Sequence, residues 1–193
     1  MLGALERRQD AAIVCPMSNN ATFLSVPRYQ QQGPLPDGID AERFAALLAY
    51  CALSETYRDL PTAVCFCMLV RASAWRTLGP LDRAYGRGYG EDDDLAQRAR
   101  AAGHAVVCAP RAFVFHRGHA SFGKSAELDR QRLANGRLLA SRWPGYAADV
   151  AAFCRANPLR ALHERLWHAL LSFPERREAH ILHVVSEWPR SGG

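Results

Sequence analysis

The sequence has almost no lysine and no long apolar run, and each shortage argues against a class of protein. Lys124 is the single lysine, so arginine supplies nearly all of the 24 basic residues and the net charge of +5. These charges are spread along the chain, without the basic stripe that marks a nucleic-acid partner. The longest apolar runs, residues 45–53 and 63–70, fall well short of the roughly 18 residues of a membrane-spanning helix. We therefore expect neither a nucleic-acid partner nor a membrane span.

A secretory leader and paired cysteines are also missing. The N-terminus lacks the basic-then-apolar order of a signal peptide. Six cysteines occur inside apolar stretches, without a Cys-x-x-Cys pair. We therefore expect reduced core thiols in a cytoplasmic protein. Cys65 and Cys67 are expected to form a buried pair on one face of a strand.

The apolar pattern that is present predicts an α/β fold. Short apolar runs are typical of buried strands at residues 11–15, 62–71, 104–109 and 112–115. Helices are expected between these strands at residues 40–53, 73–78 and 94–102, the first with Asp40 as its N-cap. Later helices are expected at residues 126–142, 147–156 and 159–171, separated by prolines. The pattern predicts a mixed sheet flanked by helices and followed by a helical tail.

The most unusual stretch is an acidic run, Glu91 to Asp94, after a loop with glycine at positions 86, 88 and 90. Glycine lets a backbone pass close to a ligand. Acids at a helix start also act as caps and suit the helix dipole, which explains two of the four. Side-by-side carboxylates repel, and such clusters give a carboxyl the raised pKa of a base or hold a cation. The residues alone leave capping and function equally open.

Histidine gives a weaker signal. His116 ends a predicted strand, and His119 follows at a ligand-like spacing. Two histidines without a third ligand are weak evidence for zinc, and a single histidine at a strand end is more often structural. A metal-dependent hydrolase that uses residues 91–94 and His116 would need further ligands that the sequence does not supply.

The order and spacing of several motifs resemble the second half of family 2 glycosyltransferases. The motifs lie within residues 1–125, at 10–22 (DAAIVCPMSNNAT), 62–71 (TAVCFCMLVR), 78–82 (LGPLD), 88–95 (GYGEDDDL), 101–110 (AAGHAVVCAP) and 115–123 (FHRGHASFG). The resemblance implies an incomplete GT-A fold and inverting sugar transfer from a nucleotide-sugar donor to a hydroxyl acceptor. Cys65 departs from the pattern, because relatives usually have glycine there, and we expect it to narrow the acceptor pocket.

The resemblance also implies roles for individual residues. Asp92 would be the general base that takes the proton from the acceptor hydroxyl. His116 would help to bind a divalent metal, Mg²⁺ or Mn²⁺, on the donor diphosphate. The acceptor would be held by the residues around this base, namely Tyr89, Gly90, Glu91 and Asp93.

Both ends of the chain are expected to be cut. Residues 1–125 would be the acceptor-side half of a GT-A domain whose nucleotide-binding N-terminal half is missing, so we expect the 193 residues alone to be catalytically silent. Residues 126–178 are expected to be a helical extension or linker. Residues 179–193 (AHILHVVSEWPRSGG) look like the first strand and glycine-rich turn of a second, GT-B domain; alternatively, this strand returns to the main sheet.

The expected partners are a nucleotide-sugar donor and a glycan or lipid-linked acceptor, with the protein in the cytoplasm or at the inner face of the membrane. A non-catalytic, glycosyltransferase-like binding module is the alternative.

Overall fold

The computed structural model describes residues 1–86, 88–117 and 126–172. The fold is mixed α/β, as predicted, with a four-stranded sheet, α-helices on both of its faces and a helical C-terminal part. The strand expected within residues 179–193, and with it the second-domain hypothesis, lies outside the described residues.

The described part of the chain contains four strands and seven α-helices. The strands are β1 (Ala11–Met17), β2 (Arg58–Asp59), β3 (Leu69–Val70) and β4 (Ala105–Phe113). The helices are α1 (Leu2–Arg7), α2 (Ala41–Cys51), α3 (Ala72–Leu78), α4 (Glu91–Ala101), α5 (Ala126–Arg142), α6 (Tyr146–Ala156) and α7 (Arg160–Leu171). Among these described helices, none is long and apolar enough to cross a membrane, in agreement with the expectation.

The sheet has the order β2-β4-β1-β3. Its centre is the parallel pair β1 and β4, with Val14 opposite Val107, and the two short outer strands run antiparallel to their neighbours. All of β1 is buried, as its continuous apolar sequence requires of a central strand. Pro16 is tolerated in β1 because the register shifts beside it, where the regular ladder is interrupted.

Three of the four strand predictions are wrong in extent. The two strands expected at 104–109 and 112–115 are one strand, β4, which continues through Pro110. The strand expected at 62–71 is reduced to Leu69–Val70, because residues 62–68 leave the sheet.

The burial of each cysteine follows from this arrangement. All six are free thiols, and Cys15, Cys51 and Cys108 are buried, as predicted. Cys65 is exposed and Cys67 is half-buried, so the predicted buried pair is wrong. The reason is that residues 62–68 form a loop and not a strand.

Local signals placed α2 correctly. The Asp40 carboxylate accepts a hydrogen bond from the Arg43 backbone N–H at 2.8 Å, which is the predicted N-cap. The helix buries one face, formed by Phe44, Leu48 and Cys51.

The two faces of the sheet carry cores of different size. The smaller face is covered by α1, whose Ala4 packs with Val14 and Val107. The larger core includes residues of α2 and α4 and also the buried face of α7, namely Leu162, Leu166 and Leu170. Helix α7 is therefore part of the same core as the sheet.

This shared core predicts a large effect of a truncation in α7. Leu162 is fully buried, so Leu162→Ala is expected to lower the free energy of unfolding by about 3 kcal/mol through lost burial and the cavity left behind. Leu133→Ala, at a 65% exposed position of α5, is the matched control and should cost less than about 0.5 kcal/mol. Urea denaturation measures both. Equal, small losses would contradict the packing of α7 into the main core.

Candidate functional site

A strained glycine loop sets the position of the acidic run. Gly88, Tyr89 and Gly90 have φ values of 131°, 69° and 107°, in the left-handed region. A Cβ atom on Gly90 would lie 3.0 Å from carbons of the Tyr85 ring, so both conformation and space require glycine there. The Asn135 side-chain amide, on α5, lies 2.8–2.9 Å from the carbonyl oxygens of residues 85, 88 and 89. These contacts fix where α4 begins.

Gly90 is the N-cap of α4, so all four acids fall in its first turn. None of the four acids is itself the N-cap residue, so capping does not explain why each is an acid. The four side chains also have different environments. Asp94 is structural. Its side chain is 3% exposed and accepts hydrogen bonds from Arg98 Nε at 2.9 Å and Trp143 Nε1 at 3.0 Å.

Asp93 is held by two hydroxyl groups. Its Oδ1 accepts hydrogen bonds from Thr62 Oγ1 at 2.7 Å and from the Tyr146 hydroxyl at 2.8 Å. Burial, together with the neighbouring Asp92 carboxylate, raises the pKa of Asp93 to about 6. The two hydroxyls oppose this effect by stabilising the charged form.

Asp92 has a single side-chain contact to the loop at residues 62–68. Its Oδ2 accepts a hydrogen bond from the Cys65 backbone N–H at 2.8 Å. Burial raises the pKa of Asp92 above its usual 3.8, and hydrogen bonds from backbone N–H groups partly oppose this. An anchored carboxylate with a raised pKa is, once ionised, a stronger base than an ordinary aspartate.

Glu91 is the least satisfied of the four acids. Burial raises its pKa, and its Oε2 is buried without a hydrogen-bond partner in the described part of the chain.

A cavity of about 550 Å³ opens beside the acids. It brings together four of the predicted site residues, Asp92, Asp93, Tyr89 and Gly90. Its other walls come from the loops at residues 22–32 and 62–64 and from α6. Glu91 is not among the lining residues. Asp92 therefore borders a space lined by both polar and apolar groups, as a small-molecule site requires.

His116 lies apart from this cavity. Its Nδ1 is 2.9 Å from the Asn20 carbonyl oxygen, and its backbone N–H donates to Asn19 Oδ1 at 2.8 Å. Its ring stacks on Phe66 at a centroid distance of 5.3 Å. Because Phe66 follows Cys65, which binds Asp92, the loop at 62–68 contacts both predicted site residues, but His116 does not line the cavity.

The residues do not fit the implied metal. Within residues 1–86, 88–117 and 126–172, no group of three histidine, cysteine or acidic side chains could hold a metal ion. His119, the second histidine of the predicted pair, lies outside the described residues. His116 would thus be a lone ligand among the described side chains.

Sequence reasoning missed Thr62 and Tyr146. Thr62 stands in a segment interpreted as a strand, and Tyr146 stands in the part interpreted as a linker. The only signal in the sequence was the pair Pro144 and Gly145, which predicts a turn between two helices. Nothing in the sequence indicated that α6 turns back onto the acids.

The Asp93 contacts predict a measurable pKa change. Tyr146→Phe removes a hydrogen bond that favours the ionised carboxylate, so the Asp93 titration midpoint should rise further above about 6. NMR titration of the side-chain carboxyl carbon measures this midpoint. Tyr50→Phe, at a 71% exposed tyrosine of α2, is the control and should leave it unchanged. A midpoint that falls in Tyr146→Phe would contradict the hydrogen bond.

No family model, curated protein or solved structure matches this chain. The support for a function therefore comes from the residues and the geometry of the cavity.

Proposed function

We propose that this chain is the acceptor-side part of an inverting glycosyltransferase, with Asp92 as the general base. The acceptor hydroxyl would enter the 550 Å³ cavity, which Tyr89, Gly90 and Asp93 also line. The proposal places the protein in the cytoplasm or at the inner face of the membrane, where nucleotide sugars and glycan or lipid-linked acceptors meet.

One observation supports the proposal most. Asp92 lines an open cavity, and the Cys65 backbone N–H holds its carboxylate at 2.8 Å, whereas Asp93 and Asp94 are engaged in structural contacts. Its raised pKa makes the ionised Asp92 a stronger base than an ordinary aspartate.

The reaction follows from this geometry. The acceptor oxygen attacks the anomeric carbon of the donor sugar, and Asp92 takes the proton from that oxygen as the new C–O bond forms. The bond between the anomeric carbon and the diphosphate oxygen breaks, and its electron pair leaves with the diphosphate. Attack from the face opposite to the leaving group inverts the configuration at the anomeric carbon. Asp93, fixed by Thr62 and Tyr146, keeps the start of α4 in place during this step.

The test is an assay of the native polypeptide that carries this sequence. It is incubated with uridine, guanosine and thymidine diphosphate sugars and a panel of oligosaccharide and lipid-linked acceptors. We expect a glycosylated product of inverted configuration. If oligosaccharides bind without any transfer, the chain is a binding module; if neither binding nor transfer occurs, the proposal is wrong in both respects.

A further inference from the structure

A second, smaller pocket lies next to the cavity that contains Asp92. It has a volume of about 220 Å³ and is enclosed by the loop at residues 26–37 and by Trp167 of α7. Gln32 lines both this pocket and the larger cavity, so the two spaces are neighbours.

The loop around the second pocket is held in place. Asn19 donates a side-chain hydrogen bond to the Gly33 carbonyl oxygen at 2.8 Å, and the Gly33 N–H returns one to the Asn19 carbonyl at 3.3 Å. On the other side, α7 is fixed by Leu166 and Leu170 in the main core. The pocket is therefore formed before any ligand binds, which lowers the entropic cost of binding.

The polar groups of the pocket indicate the class of ligand. Arg28 and Asp37 both line it, yet neither forms an ion pair or a side-chain hydrogen bond with any described residue. Arg28 can only donate hydrogen bonds, and an Asp37 carboxylate can only accept them. An anion would be repelled by Asp37 and a cation by Arg28. A neutral molecule with several hydroxyl groups can accept hydrogen bonds from Arg28 and donate them to Asp37.

The apolar groups add a second requirement. Val26, Leu35 and Trp167 form part of the wall. A sugar ring offers hydroxyl groups at its edge and C–H groups on its faces, which match a pocket of aromatic and aliphatic surface with a few polar groups.

We propose that this pocket binds a neutral sugar residue of the acceptor, adjacent to the sugar whose hydroxyl reaches Asp92. The inference rests on the proposed function, since it assigns the second pocket to the same acceptor. It makes the acceptor an oligosaccharide and places part of its selection on Arg28, Asp37 and Trp167.

The test begins with the 193-residue chain on an array of neutral and acidic oligosaccharides. The neutral oligosaccharide that binds best is then titrated into the protein while the indole N–H resonances are followed by NMR. We expect the Trp167 resonance to shift, and that of Trp75, on α3, to stay unchanged. Asp37→Asn and Arg28→Gln, both at exposed positions, should each weaken binding about tenfold, and the control Arg76→Gln less than about twofold.

Three outcomes would overturn the inference. These are an unshifted Trp167 resonance on saturation, unchanged affinity in both pocket variants, and no oligosaccharide bound more tightly than about 10 mM. The proposed function is judged separately, by sugar transfer in the native polypeptide. If sugar is transferred but the Trp167 resonance does not shift, only the sugar-binding role of the second pocket is wrong. If the Trp167 resonance shifts but no sugar is transferred, only the catalytic assignment is wrong.

Discussion

Asp92→Asn is expected to lower the rate constant of sugar transfer by about a hundred- to ten-thousand-fold, the usual contribution of a positioned general base. An asparagine keeps an acceptor oxygen for the Cys65 backbone N–H, so the loop at 62–68 should stay in place. The neutral amide, however, cannot take the hydroxyl proton. Steady-state kinetics of the native polypeptide and its variant measure the effect.

The matched control for this variant is Asp129→Asn, at an exposed position of α5. Its transfer rate should equal that of the wild type within about twofold, since a surface charge change away from the site has little effect. Acceptor affinity should change little in Asp92→Asn, because the lost function is proton transfer. Full activity of Asp92→Asn would show that Asp92 is not the general base.

Asp94→Ala is expected to lower the free energy of unfolding by about 4 kcal/mol, the largest effect on stability that we predict. The substitution removes a buried carboxylate and leaves the half-buried Arg98 guanidinium and Trp143 indole N–H without their acceptor. It also frees the Tyr85 hydroxyl, which contacts Asp94 at 3.3 Å. Since Asp94 joins α4 to the end of α5, the variant should unfold at a clearly lower urea concentration.

Asp149→Ala provides the comparison for Asp94→Ala. Asp149 pairs with Arg100 at 2.9 Å, but its side chain is 49% exposed, so its loss should cost less than about 1 kcal/mol. Similar midpoints for the two variants would show that Asp94 is not a buried structural acid.

Local signals in the sequence were sufficient for α2 and α5, but the helix expected at residues 94–102 begins three residues earlier, at Glu91, because Gly90 and not an aspartate is its N-cap. Asp40 caps α2 through a bond to a residue three positions later, and a contact of that range can be recognised from sequence. The prediction for residues 126–142 coincides with α5, because apolar periodicity and a following proline define a helix without reference to the rest of the chain.

Contacts between distant residues could not be predicted. Residues 62–68 are apolar enough for a strand, but the Cys65 N–H binds the Asp92 carboxylate, 27 residues away, and so is not available to a sheet neighbour. The same limit applies to the acids. Asp92, Asp93 and Asp94 are alike in sequence, and their partners Cys65, Tyr146 and Trp143 decide which one is structural.

The most direct test of the central claim is the pH dependence of kcat/KM for sugar transfer. A base must be ionised to act, and burial raises the pKa of Asp92 above 3.8, so the wild-type rate should increase with pH through a midpoint higher than that of an ordinary aspartate. In Asp92→Asn the residual kcat/KM should no longer increase with pH over this range. An acid limb of the same midpoint and slope in Asp92→Asn would contradict the assignment.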